Sequence, residues 1–511
     1  MRAGFATGSI KLGELELSQV STFNKVWATH EGGPKNLGAT FFQPSIPAGF
    51  SMLGCYCQSN NQALFGWVLA GKDSGNALAK PVDYKLVWSS ESAKIKQDGY
   101  GYIWLPVPPQ GYVPVGYMVT SSSNKPSLDQ IRCVRSDLTD ACENEMLVLS
   151  SSGVNVYGSR PSTRGNQALG VAVGTFMVHV DGDTSTPSIA CLKNKDSILS
   201  YMPNLPQIES LLQAYSPWVY LHPDEAYLPS SVTWFFNNGA LLYKQGNPAP
   251  TAVDPDGSNL PQGGSNDGEY WLDLPVDNGA KERVKKGDAA STQCYMHVKP
   301  MLGGTFTDIQ VWVFYSFNGP ARAKVEFVSL SLGKIGEHVG DWEHVTLRVS
   351  NFNGELWRVY FSEHSGGRWA DASELEFEGG NKAVTYASLH GHAFYPKAGL
   401  VLQGNEKLGI GIRNDTGKGK VRCDTGEGAV LVAADHLGEK VVAPAWLWYA
   451  REWGPKIRYD LGHEIHEITR LLPGKLKKVF EKVINEIPRE VLEEEGPTGP
   501  KMKGNWNGDE V

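Results

Sequence analysis

From residue 5 to about residue 180, short apolar or alternating runs are cut by glycine, proline, serine and asparagine. Runs at 50–57, 65–70, 84–88, 100–105 and 112–120 follow the period of two of β-strands, with almost no helical periodicity. Within them a motif recurs. Pro47-Ala48-Gly49-Phe50, closing at Gly54, returns as Pro109-Gln110-Gly111-Tyr112, closing at Gly116, an offset of 62 residues (109 − 47). A third unit is expected near 171–180, where the apolar character persists and the Pro-x-Gly signature is missing. Three units of about 60 residues imply sheets arranged around a pseudo-threefold axis. This predicts an N-terminal β-prism-like domain over residues 1–185.

Residues 186–217, rich in proline, read as a linker with a short helix starting near Ile208. Strand patterns resume at 310–317, 343–349, 356–362 and 429–433, predicting a β-sandwich over 218–460. Ahead of the first of these, residues 248–268 form a polar glycine- and proline-rich loop of the long kind that is often functional or mobile. Leu476, Val479, Phe480, Val483, Ile484 and Ile487 fall at helical spacing, within a helical segment expected over 461–495. Its apolar stripe is expected to dock on the protein's own core, a membrane surface being the alternative. Residues 496–511 read as a flexible tail. The fold class is therefore mainly all-β: an N-terminal β-prism-like domain plus a C-terminal β-sandwich with a C-terminal amphipathic helix.

Composition narrows the function. The 511 residues are 41% hydrophobic and 20% charged, ordinary for a chain with real cores. A net charge of −8 argues against nucleic acid as a partner. The longest apolar stretches, such as 168–180, fall short of the roughly 20 residues a membrane-spanning helix needs, so no transmembrane segment is expected. Lys11, Glu14 and Glu16 interrupt any hydrophobic leader after Met1, and seven cysteines, an odd number, read as reduced thiols. The expected location is cytoplasmic, with peripheral membrane association.

The densest chemistry lies at Glu337-His338-Val339-Gly340-Asp341-Trp342-Glu343-His344. On a strand, Asp341 and Glu343 face one way and Trp342 and His344 the other, with His338 able to fold towards the carboxylates. One imidazole and two carboxylates suit Ca²⁺, Mg²⁺ or Mn²⁺ better than zinc. The alternative is a charged loop feeding a strand. A second cluster, Ser388-Leu389-His390-Gly391-His392, puts two histidines on one face of an extended segment, able to ligate a metal, to grip a sugar hydroxyl or to serve structurally. His463-Glu464-Ile465-His466 misses the metalloprotease spacing by one residue and reads as surface. No nucleophile elbow, phosphate loop or dinucleotide fingerprint is present, and no enzyme activity is expected.

Two resemblances add to this. Gly4-Phe5-Ala6-Thr7-Gly8, Leu12-Gly13-Glu14-Leu15-Glu16, Gly54-Cys55-Tyr56-Cys57-Gln58, His222-Pro223-Asp224-Glu225, the 340–345 segment and Gly496-Pro497-Thr498-Gly499-Pro500-Lys501 resemble a plant family named as vacuolar-protein-sorting-associated-protein related. That resemblance implies a plant source and, loosely, trafficking. Locally, the 312–320 segment followed by 338–343 is similar to the necrosis- and ethylene-inducing peptide-like cytolysins, whose central motif reads G-H-R-H-D-W-E. In that family the first His, the Asp and the Glu hold a divalent ion used in binding sphingolipid sugars. His338, Asp341 and Glu343 occupy those places, Asn318 stands where the family has a further carboxylate, and Val339 and Gly340 replace the Arg and second His. The 388–390 segment is similar to that family's S-x-H-G sugar-site element.

The resemblance thus implies a divalent cation held by His338, Asp341, Glu343 and Asn318 and a sugar site at Ser388 and His390; His392 and Trp342 are expected to bind ligand beside them. The expectation is a non-enzymatic protein binding glycans or glycolipid head groups at membrane surfaces, in plant defence of an insecticidal, toxin-like kind. The alternatives are an intracellular membrane-trafficking adaptor and a metal-dependent hydrolase built on Asp341 and Glu343.

Overall fold

Six strands in a fixed order occur three times in the first 193 residues of the computed structural model. The structure describes residues 4–182, 189–325, 328–364, 366–405, 410–456, 461–471, 474, 477–478 and 497–510. In each repeat the third strand pairs with the second and fifth, and the last pairs with the first and fourth. In the second repeat, for example, Tyr102–Val107 lies between Asp83–Ser89 and Met118–Thr120, and Cys133–Arg135 between Leu78–Ala79 and Tyr112–Val113. Each repeat therefore contributes two small sheets. The first repeat adds an outer strand, Ile10–Leu12.

The recurring glycines explain the repeat. A Cβ on Gly54 would stand 2.8 Å from the Gly116 Cα and 2.6 Å from Thr175 Cγ2; a Cβ on Gly116 would stand 2.7 Å from the Gly54 Cα. Three equivalent positions meet where the units converge, and only two glycines and one threonine fit. The third unit needs no glycine there because Thr175 supplies the filling side chain, its hydroxyl donating to the Val115 carbonyl at 2.7 Å. Gly116→Ala is expected to destabilise the protein by about 1–3 kcal/mol through overpacking. Urea unfolding measures it, and an unchanged midpoint would remove these glycines from the account.

The second unit centres on a six-stranded sheet in the order Gly366–Asp371, Leu356–Glu363, His338–Ser350, Phe306–Asn318, Cys294–Met301, Val430–Ala433. Phe306–Asn318 is buried along all 13 residues, because both faces of the sheet are covered. Odd positions Ile309, Val311, Val313 and Tyr315 pack with Val345 and Val359 against a second sheet, where Trp218–Tyr220 runs parallel to Lys382–Ala387. Even positions Trp312 and Phe314 meet Trp342, Trp446 and Trp453 on the opposite face. This is a β-sandwich with an extra layer.

Several boundaries differ from the sequence reading. The helix Leu205–Tyr215, capped by Asn204 and Gln207, is no linker: Ile208 and Leu211 sit in the sandwich core. Phe5 joins that same core, and Ala6 N–H donates to the Asn351 carbonyl at 2.9 Å. In the 248–268 loop, Asn247–Ala252 pairs with Leu241–Lys244, and Val253 and Leu260 are buried. The expected flexible tail is ordered from Pro497 to Glu510 and buries Trp506 and Glu510. A helix spans Leu461–Leu471, with His463 and His466 exposed on it, whereas the predicted stripe from Leu476 to Ile487 lies outside the described residues. Among the described residues no helix is long and apolar enough to cross a membrane, and the seven cysteines are unpaired.

Candidate functional site

Asp341 and Glu343 project from His338–Ser350 onto the odd-numbered core face, as their spacing requires, with Asp341 opposite Tyr315 and Glu343 opposite Val313. Gly340, at φ +67°, takes a backbone conformation that favours glycine, and a Cβ there would sit 2.6 Å from the Trp453 carbonyl oxygen. The histidine of the similar motif is therefore excluded from position 340.

The turn between Lys382–Ala387 and Phe394–Tyr395 brings His392 onto Asp341. His392 Nδ1 lies 2.9 Å from Asp341 Oδ2 and its Nε2 lies 3.1 Å from the Tyr227 carbonyl oxygen. Both ring nitrogens face acceptors, so both carry protons: the ring is an imidazolium. It stacks on Tyr315 at 3.8 Å and 6°, with Glu225 Oε1 3.9 Å from Nε2. Burial alone would depress the imidazole, but the hydrogen bond to Asp341 and the nearby Glu225 and Asp341 carboxylates outweigh it and raise its pKa to about 10. Asp341 answers in kind. Burial would raise its carboxyl, yet the His392 hydrogen bond and the His338 charge hold it below the ordinary range. Burial and the neighbouring Asp341 charge push Glu343 well above that range, and Ser362 donates its hydroxyl to Glu343.

Glu225 closes the cluster. It accepts the His390 N–H at 2.6 Å and faces His390 Nδ1 at 3.3 Å; burial opposes its ionisation, and the two histidines overcome that and hold it well below the ordinary carboxylate range. His390, partly exposed, meets the Tyr227 ring edge-on at 5.4 Å. His390 and His392 have φ of 69° and 55°, and His364, whose Cε1 would stand 3.5 Å from a Cβ on Gly391, has φ of 60°. Three histidines in left-handed backbone thus gather in one place, an energetically costly conformation that persists where the surroundings enforce it. Ser388 is buried beneath them with its Oγ unpartnered among the described residues.

One expectation needs correction. Trp342 lies on the other face, 4% exposed and packed against Trp446, Trp453 and Phe314, so it is core rather than ligand-binding. The four expected metal ligands are also separately engaged. His338 Nδ1 faces the Gly340 carbonyl, Asn318 Nδ2 donates to the Gly319 and Gly336 carbonyls, Glu343 is tied to Ser362, and Asp341 to a cationic ring. Among the described residues no group of three or more His, Cys, Asp or Glu side chains is arranged to hold a metal ion. As they stand, the His392 ring supplies positive charge to Asp341 where a divalent cation would otherwise do so. Glu225 and Tyr227 were missed as site residues; Glu225 lies in the His222–Glu225 stretch that carries the family resemblance, but nothing in its spacing points to His390.

Fold and site together define an all-β protein of two interlocked units, with a histidine–carboxylate cluster at one end of the sandwich. The chain belongs to the vacuolar protein sorting-associated protein 62 (Vps62) family, whose model matches residues 1–510. No curated protein matches it. Among solved structures, GNIP1Aa from Chromobacterium piscinae is similar at 22% identity and a TM-score of 0.30, over 39% of this chain and 40% of that one. NLPPya in complex with glucosamine is 14% identical, with a TM-score of 0.22, over 37% and 67% of the two chains. Necrosis and Ethylene inducing Protein 2, from the causal agent of cocoa's Witches Broom disease, is 16% identical, with a TM-score of 0.17, over 43% and 82%. These likenesses are partial in extent.

Proposed function

We propose that the protein acts by binding rather than by turnover, and that its ligand is a glycan or glycolipid head group presented at a membrane surface. The observation that carries this reading is the gathering of His364, His390 and His392 in left-handed backbone around buried Glu225 and Asp341. Strain of this kind clusters at ligand-contacting sites. The accessible rim offers the His390 imidazole beside the Tyr227 ring, a donor–acceptor group next to an aromatic face, which suits a sugar ring.

The test is a glycan and glycolipid array probed with wild type and His390→Ala. The wild type should bind a restricted set of glycans, His390→Ala should lose at least tenfold in affinity while remaining folded, and EDTA should change neither. A wild type that binds no glycan, or a variant that binds like it, would overturn the reading. One observation favours a hydrolytic alternative: Asp341 and Glu343 share a face and have their proton affinities driven apart, as in acid–base pairs. Turnover of a glycoside panel that disappears in Glu343→Gln would establish it instead.

A further inference from the structure

We propose a second binding site, in the seam between the two units, for an uncharged, flat, ring-bearing molecule with a hydrogen-bond acceptor at its edge. A cavity of about 550 Å³ lies there, lined by the first and third repeats and by the sandwich. That volume falls within the roughly 300–1,000 Å³ of small-molecule clefts, which occur preferentially where domains meet.

Its walls are aromatic and drawn from both sides. Phe65 meets Trp357 with ring centroids 4.8 Å apart, and Trp67 meets Phe306 at 5.3 Å, each pair joining one ring from the repeats to one from the sandwich. A neighbouring hollow of about 420 Å³ shares Phe65 and Trp357, so that pair is the partition between two spaces. Aromatic walls of this kind suit a ring-bearing ligand, which adds to them by offset or edge-on contacts.

The charges around the cavity are neutralised by one another. Arg358 bridges Glu145 of the third repeat at 2.7 Å and Asp371 at 2.8 Å. Arg164 reaches Asp509 at 2.9 Å, and Arg348 holds Asp308 at 2.8 Å and Asp509 at 2.6 Å. An ionic ligand would have to break one of these pairs and leave a buried charge alone, which is strongly unfavourable. An uncharged ligand would not. Among the described residues Arg348 engages carboxylates through Nε and Nη2, so Nη1 is the donor left for a neutral acceptor.

Nile red, uncharged, planar and bearing a carbonyl, is a suitable probe. Titrated into the full chain it should bind one molecule per protein with blue-shifted emission. Met146 lines the cavity and is 65% exposed, so Met146→Trp obstructs the mouth without disturbing a core; affinity should fall at least tenfold. Ala172→Leu, which fills the interior, should do the same. Trp448→Ala, at an exposed tryptophan outside the cavity, should bind as the wild type does. Near-UV circular dichroism confirms that each variant is folded. The proposal fails if the wild type shows no saturable binding, or if the two obstructing variants bind unchanged. It also fails if inorganic phosphate or glucosamine displaces the dye, since an ion or a sugar would then be the occupant.

Discussion

Truncation after Gly504 is expected to abolish the stable fold. The polar face of the central sheet carries Lys299, Gln310, His344, Thr346 and Arg348, and the C-terminal segment supplies a partner to each of the five. Lys299 Nζ donates to the Asn505 and Gly508 carbonyls, and Gln310 Nε2 donates to Glu510 Oε1 at 3.0 Å. Thr346 also donates to Glu510, His344 Nε2 lies 3.2 Å from it, and Arg348 pairs with Asp509 at 2.6 Å. Trp506 stacks on His297 at 3.8 Å, and Asn507 accepts the Asn166 N–H at 2.8 Å, tying the third repeat to the sandwich. Removing one partner of a buried charged pair costs about 3–5 kcal/mol. Net stabilities are about 5–15 kcal/mol, so loss of several partners at once exceeds what the fold can sustain.

Glu510→Gln isolates one contribution and should lower stability by about 3 kcal/mol near neutral pH. Burial opposes ionisation of Glu510, but the His344 charge and its hydrogen bond prevail and hold the carboxyl well below the ordinary range. A depressed carboxylate stabilises the folded state above its unfolded pKa, about 4.3, and that contribution is lost as pH falls below it. Thermal unfolding between pH 6 and pH 3 should therefore steepen in the wild type and be shallower in the variant. A truncated chain that melts like the full one would refute the role of the segment.

His392→Ala is expected to be nearly as damaging. It leaves Glu225 and Asp341 as buried carboxylates without their shared cation, at a cost of about 3–5 kcal/mol. The sign of the pH dependence is opposite to that of Glu510. Folding raises the His392 pKa to about 10, so its stabilisation is full below the ordinary imidazole value of about 6.5 and is lost as pH rises towards 10. The gap in melting temperature between wild type and His392→Ala should be widest at pH 6 and narrow by pH 10. A constant gap across that range would mean that the ring acts by packing on Tyr315 alone.

The central polar face shows why the tail reads as flexible from sequence alone. Asp308, Gln310, His344, Thr346 and Arg348 alternate with apolar residues, the pattern of a strand with one side in water. Nothing local says that the last residues of the chain return to cover that side. A glycine-containing, charged terminus looks solvated by composition, and its order comes from partners more than 150 residues away, such as Thr346 to Glu510. Glu225 is illegible as a site residue for the same reason, since its partners His390 and His392 lie 165 and 167 residues further on (390 − 225 and 392 − 225).

Local regularities were legible. The period of two placed Asp341 and Glu343 on one face and Trp342 on the other, and the spacing of Gly54 and Gly116 revealed the repeat. Both follow from backbone geometry, which is a property of neighbouring residues. The all-β class and the multiplicity of the N-terminal unit are accordingly written in the chain itself. Tertiary structure alone decided the rest: that the tail is a structural layer, that a histidine cation sits between the site's carboxylates, and that a cavity opens along the seam. Each depends on charges and surfaces brought together from distant segments, where burial sets the strength of an interaction that spacing cannot foretell.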